Sequence, residues 1–377
     1  MTALTLCLAL VVAGGPPIKV GVYGPFTGGS AGMGLSMRNG VRLAADEINA
    51  RGGLLGRPIE LVERDDEARN EKGGQVMQEL LERQGVVAVL GPINTGCADA
   101  STRYPEEKKI PQIINVSAGA KVNELFAQYP DNYVFRNAAG DLIQSDMIVK
   151  EAIATRHHLH PAILCDDTNY GQNGRAKMEA ALRRMNVKPV YVGKFKIKDT
   201  DMTPQLQDAR ASGADVLLVY GIGPELAAVA NSMERIGWKV DMIGSWTLSM
   251  SAFINNAGKN GDGATMPETF IEAGPKTPRQ QAFLDAYWRK FSEKPISVAV
   301  AAAQGYDSLY LLAAAIRQAG TTDGPKVKAA LEDLRGTYEG VTGTYVHPFS
   351  ATDHEAVKER HVVMGVVRDG RVLPPGR

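Results

Sequence analysis

The chain reads as short apolar runs alternating with amphipathic stretches. "IKVGVYGP" (18–25) is a compact apolar run closed by Gly-Pro, the form of a buried strand. "LSMRNGVRLAADEINARGG" (35–53) follows, with Met37, Val41, Ala44, Ala45 and Ile48 on a helical period and a stop at Gly52-Gly53. "RPIELVERDD" alternates like a strand, "EKGGQVMQELLERQG" is helical, and "VVAVLGP" is a third strand. "CADASTRYPEEKK" is helical and "IPQIINVSAG" is a fourth strand. Strand–helix alternation of this kind predicts a parallel sheet with helices on both faces.

The pattern then restarts. "NYVFRNAAGD" (132–141) reads as a connector, and helix and strand alternate again from "LIQSDMIVKEAIATR" and "PAILCDD" to "PELAAVANSMERIG" and "KVDMIGS". After residue 275, "TPRQQAFLDAYWRKFSE", "SVAVAAAQGYDSLYLLAAAIRQAG" and "PKVKAALEDLRG" read as three helices. "GTYVHPFS" and "HVVMGVVRDGRVLPP" read as strands, the second with an Asp-Gly hairpin turn. The predicted fold class is α/β, with two doubly wound parallel-sheet units.

Composition narrows the partners. The chain has 377 residues, 44% hydrophobic, which suffices for two domains with substantial cores. Lys+Arg and Asp+Glu both number 42, so there is no basic excess for nucleic acid or an anionic membrane. Leu4–Ala13 has the length of a signal-peptide core, followed by small residues and two prolines, although no basic residue precedes it. We expect residues 1–16 to be a cleaved signal peptide; a buried first strand is the alternative. No later apolar run is expected to span a bilayer. Cys97 and Cys165, which remain after loss of Cys7, are far apart and are expected to be free thiols. The cysteine and histidine spacing supports no metal site, no cofactor is expected, and His157, His158 and His160 fall on a polar turn expected to be solvated.

The strand ends carry small and hydroxyl-bearing loops: "GPFTGGSAG", "GPINTG", "NVSAGA", "DDTNYG", "GIGPE" and "GSWTLS". Ligands of open parallel sheets bind beyond the carboxyl ends of the strands, where free N–H groups at helix starts favour an anion. Six such loops with little charge suit an uncharged or mono-anionic small molecule.

From residue 18 to about 370 the ordered set of motifs resembles the periplasmic leucine/isoleucine/valine-type solute-binding proteins of ATP-driven importers. "IKVGVYGPFTGGSAGMGLSMRNGVRLAADEINARGG", "VVAVLGPINTG", "IPQIINVSAGA", "DDTNYGQNGRAKMEAAL" and "GYDSLYLLAAAI" carry the likeness. The resemblance implies two lobes joined by three crossovers, residues 17–136 with 275–335 and residues 137–274 with 336–377, closing over a ligand between them. It places Thr95 where the family has a carboxylate-binding Ser, and Asn94 and Ala68 where some members have a disulfide. Ser117, Ala118, Gly119 and Ala120 match the second ligand loop of lobe one, Lys121 falls at a ligand-binding Thr, and Tyr170 matches an aromatic that closes from lobe two. The family's ammonium anchor, a Glu, is replaced at or beside Trp246, and a Tyr above the ligand is replaced by Ile222-Gly223. A buried ammonium without an acceptor costs on the order of several kcal/mol. The expected ligand is therefore an aromatic or apolar carboxylate rather than an α-amino acid, set against Trp246, Tyr170, Ile222 and Met250, with Phe26 and Met33 adding apolar surface.

Two alternatives stay open on this reading: a branched-chain amino acid binder, and an amide- or amino-acid-sensing regulator with the same fold. A dinucleotide enzyme is disfavoured, because Gly29, Gly32 and Gly34 give G-x-x-G-x-G rather than the required spacing. The expected protein is monomeric, periplasmic and non-enzymatic, and its partners are a small molecule and the permease subunits of an importer.

Overall fold

A computed structural model describes residues 14–119 and 121–375. The predicted signal-peptide core, Leu4–Ala13, lies outside the described residues. In lobe one, β1 (Ile18–Gly24), α1 (Ala31–Ala50), β2 (Ile59–Asp65), α2 (Asn70–Arg83), β3 (Ala88–Leu90), α3 (Thr95–Ser101), α4 (Arg103–Lys108), β4 (Gln112–Ile114) and β5 (Val134–Arg136) follow one another. Its sheet has the order β2-β1-β3-β4-β5 with every pair parallel. β1 is buried at all but one position, as its unbroken apolar run requires of a strand covered on both faces.

Lobe two begins with α5 (Asp141–Val149), which widens into a π-helical turn at Lys150–Thr155. It continues through β6 (Pro161–Asp166), α6 (Asn169–Arg184), β7 (Tyr191–Phe195), α7 (Thr203–Ala211), β8 (Val216–Tyr220), α8 (Gly223–Arg235), β9 (Asp241–Gly244), α9 (Ser251–Ala257) and β10 (Thr265–Glu268). Three helices follow, α10 (Pro278–Phe291), α11 (Ala299–Ala319) and α12 (Gly324–Glu332), then the strands β11 (Thr337–Glu339), β12 (Thr344–Val346), β13 (Val363–Arg368) and β14 (Arg371–Leu373). The second sheet has the order β14-β13-β10-β9-β8-β6-β7, parallel except where β13 pairs with β10 and β14.

The helix α11 is long and apolar enough to cross a membrane by length and composition, which the reading of the sequence did not recognise. It is instead the central helix of lobe one. It meets α1 at backbone distance, because a Cβ on Gly40 would lie 2.0 Å from the Ala302 carbonyl oxygen and one on Gly305 2.5 Å from that of Met37. Asp307 of α11 accepts the Val341 and Thr342 N–H groups at 2.9 and 2.8 Å, which pins the β11–β12 hairpin to this helix.

The chain passes between the lobes after β5, after β10 and after β12. The first and third passages run side by side: Arg136 N–H donates to the His354 carbonyl at 2.8 Å, and Ala356 N–H to the Arg136 carbonyl at 2.9 Å. The Arg136 guanidinium is bidentate to Glu355, at 2.7 and 2.5 Å.

Three strands are additions to the expected pattern, among them β11 of the short hairpin. β5 is only three residues long within the expected connector, and β10 contains Pro267 and Glu268, which disguise an internal strand. Cys97 and Cys165 are buried free thiols, as expected. His158 departs from the expected solvated turn: its Nε2 lies 2.9 Å from Asp241 Oδ2 in a partly buried pair.

Candidate functional site

In lobe one the strand order reverses between β1 and β3, the switch point where parallel sheets leave a crevice beyond their carboxyl ends. Met33 enters it from the first turn of α1, and Ile93, Asn94 and Thr95 from the turn after β3. Val116 and Ala118 come from the loop after β4. Tyr170, Ile222, Trp246 and Thr247 of lobe two complete the wall around a small cavity of about 20 Å³.

The lobe-one side is polar but weakly charged. Asn94 Nδ2 donates to Ser30 Oγ at 3.4 Å, while its buried Oδ1 has no hydrogen-bond partner among the described residues. Ser117 Oγ donates to Thr95 Oγ1 at 3.4 Å. Behind this loop the Arg136 guanidinium takes the carbonyls of Ser117 and Ala118, holding them on its own side. Gly119 marks a tight spot: a Cβ there would lie 2.7 Å from Thr95 Oγ1 and 2.9 Å from Asp141 Oδ2.

Asp141 is the finding that the sequence reading missed. It opens α5, is buried, and accepts the Tyr220 hydroxyl on Oδ1 at 2.5 Å. Its Oδ2 has no hydrogen-bond partner among the described residues. Burial lifts its pKa to about 6, against the lowering effects of the Tyr220 hydroxyl and the Arg136 charge. An acid five residues beyond a strand too short to recognise gave no periodic signal.

The lobe-two side is aromatic. Tyr170 sits in the first turn of α6 with its ring 4.7 Å from that of Tyr220, and its buried hydroxyl has no hydrogen-bond partner among the described residues. Trp246 opens a 3₁₀ turn, Trp246–Ser249; its N–H donates to Gln144 Oε1 at 3.2 Å. Thr247 Oγ1 donates to the Gly221 carbonyl at 2.5 Å, which ties this turn to the end of β8. Trp246 is 7% exposed and packs in the same apolar cluster as Met33 of lobe one. The lobes also touch directly, with Asn169 Nδ2 2.8 Å from Asp99 Oδ2 and Asn173 Nδ2 3.4 Å from the Gly119 carbonyl.

Of the residues singled out from the sequence, Met33, Asn94, Thr95, Ala118, Tyr170, Ile222 and Trp246 line this one cavity. Ser117 stands behind Thr95, and Gly119 borders the adjoining space beside Asp141. Phe26 lies outside it, its ring covered by the Arg38 guanidinium at 4.8 Å. Met250 is behind the wall, close against Gly223. Ala120 lies outside the described residues. Lys121 is exposed, its side chain 3.8 Å from Glu124. Ile93, Val116 and Thr247 join the lining without having been predicted.

A pair of parallel-sheet lobes holding a small cavity between the carboxyl ends of their strands defines the class of two-lobed solute-binding proteins. The chain belongs to the periplasmic binding protein family, whose model matches residues 17–371. It is similar to Leu/Ile/Val-binding protein homolog 2 of Brucella abortus (strain 2308), 26% identical over 342 residues that cover 90% of this chain and 89% of the relative. Its fold matches that of LivJ, the branched-chain amino acid transporter substrate binding protein of Streptococcus pneumoniae solved with isoleucine. The TM-score is 0.82 at 23% identity, over 95% of this chain and 100% of that one. It equally matches an ABC transporter solute binding protein of R. palustris in complex with 4-hydroxybenzoate, TM-score 0.82 at 20% identity, over 95% of each chain.

Proposed function

We propose that this protein captures a small aromatic or apolar carboxylate between its lobes, outside the cytoplasm, and delivers it to the permease of an ABC importer. The observation that carries this reading is the wall of the cavity: Trp246 and Tyr170 face Thr95 and Ala118 across it. Aromatic faces suit a planar ring, and the Thr95 hydroxyl with the 117–119 loop suits a carboxylate. The solved relative with 4-hydroxybenzoate supports the same class of ligand. Binding and closure complete the task; no bond is made or broken. Closure favours the ligand-bound state because the ligand touches both lobes. The pinning of β11–β12 to α11 favours a third crossover after Val346 rather than at 335, so the lobes are taken as 17–136 with 275–346 and 137–274 with 347–377. The acting form is a monomer released from a signal peptide within residues 1–16.

A second reading, a branched-chain amino acid binder, rests on Asp141. Its unpartnered Oδ2 beside Thr95 is an acceptor for an ammonium, which the missing Glu at Trp246 otherwise removes.

A thermal-shift screen across amino acids, aromatic acids, aliphatic acids and amides tests both. A ligand at a hundred times its dissociation constant stabilises by about 2.7 kcal/mol. Benzoate-type acids are expected to give the largest shift, and Thr95→Val to abolish it. If leucine, isoleucine or valine gives the largest shift and Asp141→Asn removes it, the second reading replaces the first.

A further inference from the structure

Glu268 ends β10, an internal strand between β9 and β13. Its side chain is 1% exposed, and neither carboxylate oxygen has a hydrogen-bond partner among the described residues. A buried acid with no partner is strongly unfavourable, and an apolar residue would serve the sheet better. Nothing in the ligand cleft accounts for it, because Glu268 faces the other side of the 246–251 segment.

That side holds a second and larger cavity, of about 730 Å³ against about 20 Å³ for the cleft. The two share no lining residue among those described. Its walls come from both lobes: Glu268, Phe270 and Ile254 meet Trp288, Lys294 and Ile296. The wall is fixed in place. Glu272 accepts the Trp288 indole N–H at 3.0 Å and the Ile296 N–H at 2.9 Å, so this second acid is satisfied and Glu268 alone is not. Lys294 Nζ lies 3.8 Å from the centre of the Trp288 ring, a cation already resting on an aromatic face at the rim.

We propose that this cavity is a second small-molecule site, for a primary amine with an apolar body, its ammonium paired with the Glu268 carboxylate and its body against Phe270 and Ile296. The acid supplies the charge and the acceptor atoms that an ammonium needs, and burial makes that pairing selective against neutral analogues. The Lys294 and Arg371 cations at the rim disfavour diamines. Because both lobes contribute to the walls, an amine here favours the joined arrangement, and linkage makes it tighten ligand binding in the cleft.

Calorimetric titration of the full protein with 2-phenylethylamine, against 2-phenylethanol as the neutral control, tests this. The amine is expected to bind saturably at one site, at least tenfold tighter than the alcohol. Glu268→Gln is expected to lower amine affinity at least tenfold and to erase the preference over the alcohol. Thr95→Val, which disables the cleft, should leave amine affinity unchanged within twofold. Asn255→Trp, at the exposed rim, covers the case in which the Glu268 variant does not fold, and should weaken the amine at least tenfold. Absence of amine binding, equal binding by Glu268→Gln, or by Asn255→Trp if that variant must stand in, overturns the proposal. Loss of amine binding in Thr95→Val moves the amine to the cleft and overturns it as well; the thermal-shift screen with benzoate-type acids then decides the reading of the cleft separately.

Discussion

The cleft and the cavity beside it lie on opposite sides of residues 246–251, and each buries one carboxylate. Asp141, beside the cleft, takes the Tyr220 hydroxyl and feels the charge of Arg136. Glu268, beside the cavity, meets no hydrogen-bond partner among the described residues and has only the weak lowering influence of the Ser249 hydroxyl, so burial drives its pKa well above the ordinary value. The fold thus sets a bonded hydroxyl and a cation near one acid, and a hydroxyl alone near the other. A group that the fold leaves unsatisfied is where an outside partner gains most, whereas a supported acid can equally serve to shape the site around it.

The largest expected effect breaks the wall between them. Trp246→Ala opens a buried volume and should cost about 3–5 kcal/mol in stability, read from denaturant unfolding, with loss of cleft ligand binding. Retention of full stability would return Trp246 to the role of a surface contact. Gly119→Ala comes next. Its methyl would crowd Thr95 and Asp141, so ligand affinity should fall at least tenfold, about 1.4 kcal/mol, while the fold persists. An unchanged affinity would place the ligand away from this loop.

A pH series sharpens the contrast between the two acids. Asp141 has a folded pKa of about 6 and that of Glu268 is raised well above its ordinary value by burial, so both lie above the unfolded range near 4. Each group therefore binds its proton more tightly when folded, so its contribution to stability falls as pH rises through that window and returns on acidification. Asp66 and Asp166, at about 6, and Glu106, at about 7, act in the same direction because burial raises them too. His354, lowered by burial, opposes them. The melting temperature should rise from pH 7.5 to 5.5, and Glu268→Gln should remove more of that rise than Asp141→Asn. Equal effects of the two variants would mean that Glu268 is supported in solution after all. The smallest effect concerns the lobes' direct contact. Asn169→Ala removes the bond to Asp99 and should weaken the cleft ligand by about 1 kcal/mol or less, seen as faster dissociation.

The legibility of the sequence followed the strength of local pattern. β1, α1, β6 and α8 announced themselves because a continuous apolar run or a helical period marks an element covered by neighbours. β5 and β10 did not, since three or four residues, one of them Pro267, carry no period. The same blindness hid the chemistry. Thr95 and Trp246 drew attention because they stand at recognisable strand ends, whereas Asp141 follows β5 and Glu268 ends β10, both unrecognised. α11 shows the converse error, a helix apolar all round whose destination, core or membrane, cannot be read from its own residues.

By itself the sequence determined two parallel-sheet lobes, the zero net charge, and a set of hydroxyl and aromatic loops at the strand ends. Periodicity, composition and turn chemistry are local properties, and these features are local. Only the tertiary structure decided which loops meet, that Met33 of one lobe touches the same cavity as Trp246 of the other, and that Glu268 has no hydrogen-bond partner among the described residues in a second cavity. Those outcomes depend on how the two lobes come together across three chain passages. The cost of a buried charge arises only once the surrounding chain has removed the water.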